Sequence, residues 1–143
     1  MAVQPYDEQD LSDEDKLIRR VNPQHHLVHD ENTGQMRTSS KLFSPSSASD
    51  GGMSVDVLKL IEQHGVDAKE FVTTPDYTGS VIFPVEAARN TGLRVGYEPI
   101  ENNPYHAEVW GNSKPNRFSR SQKREMVNAS EWFVELPGVV IGV

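Results

Sequence analysis

Hydrophobic residues along this chain occur in short runs, some alternating with polar residues as in strands and others spaced as in helices. These runs predict strands at residues 27–28, 36–43, 79–83, 93–97, 105–110, 132–136 and 139–143. Helical spacing predicts helices at residues 54–64, 67–72, 85–91 and 119–130. A further helix is expected from Ser12 to about Val21, because acids occupy its first turn and Pro23 disfavours helical geometry at the preceding residue.

This mixture of strands and short helices, without strict βαβ alternation, predicts an α+β fold. We expect a small, mostly antiparallel sheet with three to five short helices. With 143 residues, the chain is long enough to bury the core of a single domain. That domain is expected to span residues 12–143, after an acidic flexible leader at residues 1–11.

Charge changes this picture, because the net charge of −7 is concentrated at one end. Residues 1–15 contain six acids and no lysine or arginine. Residues 114–124 have the opposite character, with no acid and five cations: Lys114, Arg117, Arg120, Lys123 and Arg124. The acidic average argues against non-specific nucleic-acid binding, whereas the basic segment keeps a nucleic-acid contact as an alternative. The acidic leader is another candidate partner for this segment, from the same chain or from a second copy.

Composition excludes several classes of chemistry and of location. The chain has no cysteine, so disulfides, thiolate nucleophiles and cysteine zinc sites are excluded. No apolar run approaches the roughly 20 residues that cross a bilayer. The N-terminus also lacks the basic and apolar regions of a secretory signal. We therefore expect a soluble cytoplasmic protein with no membrane partner.

The densest polar chemistry lies between His25 and Met53. Arg37 offers a planar fork for a phosphate or carboxylate. Hydroxyls at Ser39, Ser40 and Ser54 would add donors, with Ser54 as the expected N-cap of a helix. The alternative is a hairpin with an exposed arginine and an ordinary serine cap. Neither a P-loop nor a G-x-S-x-G motif is present, so the sequence predicts anion binding without a known catalytic motif.

The histidines provide the candidates for acid–base catalysis. His106 follows Tyr105 at the start of a predicted strand, where a loop residue or strand end is well placed to contact a ligand. His29 is the second candidate base. Imidazoles of His25, His29 and His106, with the Glu108 carboxylate, are also suited to a divalent metal ion. Because no H-E-x-x-H motif is present, no metal site is assigned, and ordinary surface or partly buried histidines are the simpler interpretation.

Several short segments together resemble a known group of proteins. The order RRV, RTSS, a phenylalanine, GMSV and NPYHAEV, within residues 17–111, resembles small uncharacterised bacterial proteins from defence or mobile gene clusters. The resemblance implies a bacterial or phage origin and brings no activity with it.

A second resemblance concerns an arginine on an early strand followed by a serine pair, which is similar to NAD-using ADP-ribosyltransferase-like folds. The matching positions here are Arg19 or Arg20 and the Ser39–Ser40 pair. Such enzymes need a catalytic glutamate, for which the candidates by position are Glu98, Glu101 and Glu108.

Three hypotheses follow. The first is a binding or accessory protein whose polar pocket, formed by residues 25–54 and 102–108, takes a small anionic ligand or a protein partner. The second is an enzyme that uses His106 or His29 on a nucleotide or phosphorylated substrate, through ADP-ribosyl transfer or with a metal ion. The third is a nucleic-acid contact through residues 114–124. The sequence identifies no cofactor and no oligomeric state.

Overall fold

The centre of the fold is a strand, β1 (Lys16–Val21), in a computed structural model that describes residues 6–45, 51–111 and 116–142. The helix expected from Ser12 to Val21 is therefore wrong. Ser12 and Asp15 form only a turn, in which the Ser12 N–H donates to the Asp15 carboxylate at 2.7 Å. Leu17 and Ile18 are fully buried in two different core clusters. Because both faces of β1 are covered, its sequence lacks the alternation typical of a strand with one solvent-exposed face.

Nine strands form two sheets within the described residues. The larger sheet contains β1, β4 (Met53–Val57), β5 (Gly79–Pro84), β6 (Arg94–Tyr97), β7 (His106–Trp110) and β8 (Glu131–Val134). Its order is β6-β7-β4-β1-β5-β8, and every neighbouring pair is antiparallel. The smaller sheet contains β2 (Leu27–Asp30), β3 (Gln35–Thr38) and β9 (Val139–Val140). There β2 and β3 form the expected hairpin, and β9 lies parallel to β3.

Short helices cover both faces of the larger sheet. They are α1 (Leu58–Gln63), α2 (Ala68–Val72), α3 (Val85–Arg89) and α4 (Arg120–Ala129). Ile61 of α1 packs with Ile18 and Ile82 on one face. Ala88 of α3 and Met126 of α4 belong to the larger core on the other. The predicted α+β fold, with a mostly antiparallel sheet and short helices, is thus confirmed. None of the described helices is long and apolar enough to cross a membrane.

Local sequence signals located some helix ends and missed one. Ser119, the first residue of the predicted helix 119–130, caps α4 in a capping box completed by Gln122. Ser54, by contrast, lies inside β4, and α1 begins at Leu58 without a side-chain cap. β4 is a strand because its buried residues pair with β7, for example Val55 with Ala107. The expected helix N-terminus at Ser54 is therefore wrong.

The described part of the acidic leader lies against the sheet and α3. The Glu8 N–H donates to the Val95 carbonyl at 2.8 Å, and Leu11 is buried in the core. Arg89 forms 3.0 Å ion pairs with both Asp7 and Asp13. Further along, Asp15 pairs with Lys59 at 2.9 Å. In the parts of the chain that the structure describes, no ion pair joins these acids to the basic segment, so its cations remain available to another anion.

Candidate functional site

Two concave sites contain most of the residues that the sequence indicated. The first, here called the sheet cavity, has a volume of ≈ 300 Å³, and its lining includes Arg20, His26, Ser54, Asp56, Asn103 and His106. The second, here called the basic pocket, has a volume of ≈ 550 Å³ and lies between the smaller sheet and α4. Its lining includes Arg37, Ser39, Ser40, Arg120, Lys123 and Arg124. Arg37 and His106 therefore occupy different sites and His29 lies in neither, so the residues expected to line one pocket are divided between two.

Strand register assembles the sheet cavity. In the β4–β7 pairing, Ser54 lies opposite Glu108, and Asp56 lies opposite His106. Residues two apart on a strand share a face, so all four side chains project from the same side of the sheet. The two segments expected to meet, residues 25–54 and 102–108, do meet here through His26, Ser54 and His106.

The Asp56 carboxylate is held by two partners at one end of the cavity. Arg20 Nε donates to its Oδ2 at 2.9 Å, and Asn103 Nδ2 donates to Oδ1 at 2.7 Å. The guanidinium of Arg20 also lies over the ring of Phe71, 5.5 Å from its centroid. Both carboxylate oxygens are therefore occupied, which makes Asp56 a fixed structural anion in the cavity wall.

Arg19 is a buried cation in the same wall. Its Nε donates to the Leu42 carbonyl at 2.8 Å, and its Nη1 donates to the Ser54 carbonyl at 2.9 Å. Burial lowers the pKa of Arg19 to about 10, against the opposing effects of Tyr77 and Asp56. The group thus stays charged at neutral pH, and it ties β1 to β4 and to the short 3₁₀ helix Ser40–Leu42.

His26 contributes a neutral imidazole to the cavity. Its Nδ1 accepts a hydrogen bond from the Asn22 N–H at 2.9 Å. Burial, and then the charges of Arg19 and His25, lower the pKa of His26 to about 4. The ring therefore remains unprotonated at neutral pH, with Nδ1 as acceptor.

Beside the sheet cavity, three buried side chains could hold a metal ion. One ligand atom each from Glu98, His106 and Glu108 lies within 4.8 Å of the other two. This set differs from the histidine set considered from the sequence: His25 and His29 are exposed, and only His106 and Glu108 remain in it. No other group of this kind occurs in the described ranges.

The basic pocket joins two segments that the sequence analysis treated separately. From the smaller sheet comes Arg37, followed by Ser39, which caps the 3₁₀ helix by accepting from the Lys41 N–H at 3.2 Å. From α4 come Arg120 and Arg124, which are one helical turn apart and therefore share a face. The pocket thus combines guanidinium groups from two elements with serine hydroxyls.

Most cations of the basic pocket have no counter-ion within the described chain. Arg37 is the exception, because its Nε lies 3.4 Å from an Asp30 carboxylate oxygen. Lys123 donates to the Ser44 hydroxyl at 3.1 Å, and burial lowers its pKa from the ordinary value. No carboxylate belongs to the lining. A bound anion would therefore meet positive charge that the fold leaves uncompensated.

Four of the indicated residues lie outside both sites or outside the described chain. Tyr105 is buried, with its ring 5.1 Å from that of Phe71, so it serves the smaller core cluster. His29 is exposed on β2, and Arg117 is exposed just before α4. Lys114 lies outside the described residues.

Sequence reasoning gave Asp56 no role, and it considered Arg20 and Glu98 only through the resemblance to ADP-ribosyltransferase-like folds. The alternation in Met53–Val57 could have placed Asp56 on the Ser54 face, had the segment been recognised as a strand. The position of Glu98 next to His106 follows only from the β6–β7 pairing, in which the Glu98 N–H donates to the His106 carbonyl at 2.9 Å. In comparisons with known proteins, no family model, curated protein or solved structure matched the chain.

Proposed function

We propose that this protein binds a phosphate-bearing ligand of nucleotide size in the basic pocket. The observation that carries the proposal is the convergence of Arg37 with Arg120, Lys123 and Arg124 around one concavity without a lining carboxylate. Guanidinium groups bind phosphate oxygens through two parallel hydrogen bonds, and such charge-assisted bonds are stronger than neutral ones. The ≈ 550 Å³ volume falls in the range of small-ligand sites.

The surroundings of the pocket also support an anionic ligand. Near the N-terminus, Asp7 and Asp13 pair with Arg89 and Asp15 pairs with Lys59, so these three acids do not neutralise α4. Lys123 has a pKa lowered by burial, and a phosphate next to its ammonium would offset that desolvation. Arg120 and Arg124 repel each other at a spacing of four residues, and a bound anion would remove that repulsion.

Isothermal titration calorimetry with pyrophosphate, ATP and a short single-stranded DNA tests the proposal. We expect ATP or pyrophosphate to bind, and the double variant Arg120→Ala/Arg124→Ala to weaken binding about tenfold or more, since each charged hydrogen bond contributes about 1.5–3 kcal/mol. Arg117→Ala is the matched control, because Arg117 is an exposed arginine of the same segment outside the pocket. Absence of binding by any of these anions, or equal losses in both variants, would contradict the proposal.

A nucleic-acid contact is the second candidate, favoured by the exposure of Arg117, Arg120 and Arg124 along one segment. A polynucleotide would contact cations beyond the pocket, so Arg117→Ala would then weaken binding as well. The affinity for the DNA would also fall steeply between low and high salt, because binding releases counter-ions. The affinity for an ATP molecule bound inside the pocket should depend less on salt. This difference separates nucleotide binding from nucleic-acid binding.

A further inference from the structure

A second site consists of buried carboxylates and an imidazole, in contrast to the cations of the basic pocket. Glu98, His106 and Glu108 are 8%, 6% and 4% exposed, and their ligand atoms lie within 4.8 Å of one another. Ligand atoms about 2.0–2.2 Å from one ion lie roughly 3.4 Å apart in a tetrahedral site, which small rotations of these side chains would allow. The three side chains are therefore spaced so that one ion could contact all of them.

The orientation of His106 is fixed in the way found at metal sites. Its Nδ1 lies 2.7 Å from the Glu98 backbone carbonyl, which can only accept, so Nδ1 carries the proton. The Nε2 lone pair is then free for a ligand. His106 lines the sheet cavity, from which a ligand could reach this nitrogen. A backbone carbonyl that holds one imidazole nitrogen while the other faces a ligand is the usual outer shell of a metal-binding histidine.

Glu108 is also held in place. The Gly52 N–H donates to its Oε1 at 2.6 Å. A Cβ at Gly52 would lie 2.9 Å from that oxygen, so the backbone approaches as closely as it does only because residue 52 is glycine. Asp56 lies opposite His106, but its carboxylate accepts hydrogen bonds from Arg20 and Asn103. It is therefore not counted among the metal ligands.

We infer that Glu98, His106 and Glu108 form a binding site for a divalent transition-metal ion. One imidazole nitrogen with two carboxylate oxygens suits Zn²⁺ or Mn²⁺ better than Ca²⁺, which prefers oxygen ligands alone. Three protein ligands leave a coordination position for water or a ligand, as in catalytic rather than structural zinc sites. The site is independent of the basic pocket, because the two linings share no residue.

Calorimetric titration of the chelator-treated full-length protein with ZnCl₂, and separately with MnCl₂, tests the inference. We expect one ion per chain, with the dissociation constant raised more than about tenfold in Glu98→Gln and in His106→Asn. His29→Ala is the matched control, because it removes an exposed histidine outside the cluster and should leave this affinity unchanged. If neither metal binds, or if His29→Ala loses as much affinity as the cluster variants, the inference is wrong.

A second measurement does not depend on the folding of those variants. The chain has two tryptophans, and Trp110 lies two residues from Glu108 on the same strand and the same face. In a Trp132→Phe background, Co²⁺ should quench Trp110 fluorescence at one equivalent, and excess Zn²⁺ should reverse the quenching. Quenching that persists under excess Zn²⁺, or no quenching at all, would place the metal elsewhere and overturn the inference.

Discussion

The basic pocket and the sheet cavity hold their charges in different ways. In the basic pocket, Arg120 and Arg124 are exposed, and they depend on solvent rather than on protein partners. In the sheet cavity, Asp56 and Arg19 are buried and are held by side-chain or backbone hydrogen bonds. Exposed charges cost little to remove and are screened by salt, whereas buried charges are tied to the stability of the fold. Substitutions should therefore separate the two sites by their effect on folding.

The largest expected effect is that of Gly52→Ala, next to the metal-binding cluster. The added Cβ would lie 2.8 Å from the Val109 carbonyl and 2.9 Å from Glu108, both of which belong to the same sheet. We expect the free energy of unfolding, measured by urea titration, to fall by about 2–3 kcal/mol.

Gly34→Ala, in the hairpin that precedes Arg37, is the matched control for this prediction. Gly34 has a φ of +73° but open space around a Cβ, so only conformational strain of about 1 kcal/mol should appear. If Gly52→Ala lowered the free energy of unfolding less than Gly34→Ala, β4 and β7 would be able to move apart without losing stability, and the prediction would be wrong.

The next effect compares one ion pair from each site. Asp56 has a side-chain exposure of 4% and pairs with Arg20, whereas Asp30 has 24% and pairs with Arg37. Asp56→Ala leaves Arg20 and Asn103 without their acceptor, so we expect a loss of about 2 kcal/mol in unfolding free energy. Asp30→Ala should cost less than about 1 kcal/mol. If the two variants lost similar unfolding free energy, the buried ion pair would contribute no more to stability than the more exposed one, and the prediction would be wrong.

The last effect is absent at neutral pH and develops only on acidification, as a pH dependence that belongs to the sheet cavity. The folded state lowers the pKa of His26 from 6.5 to about 4, so the unfolded chain takes up the proton first as the pH falls. The stability contributed by neutral His26 is therefore complete above pH 6.5 and is lost between pH 6.5 and 4.

Urea unfolding of the wild type and of His26→Asn across this range measures that contribution. Asparagine can keep an acceptor for the Asn22 N–H without titrating, so the variant should lose less stability than the wild type as the pH falls. His29→Asn, which changes an exposed imidazole, should follow the wild type. Parallel curves for all three proteins would show that His26 is not coupled to folding.

Elements with a local signal were predicted close to their observed bounds. The predicted helix at residues 119–130 starts at Ser119, the observed cap of α4, and the predicted strand at residues 79–83 is β5, which ends one residue later. β1 was missed because its signal is not local. The acids at its start resemble a helix N-terminus, yet all six of its residues pair with β5. Tertiary pairing outweighed the local helix propensity there.

The basic segment and the serine pair are properties of the sequence by itself, since the residue types alone supply the charges and the hydroxyl groups. So are the α+β class, the absence of cysteine chemistry and the start of α4 at Ser119. Tertiary structure alone decided that Arg37 joins α4, and that Glu98 lies beside His106 and Glu108. The physical reason is that register between strands distant in sequence places side chains on one face, and no local propensity encodes that register.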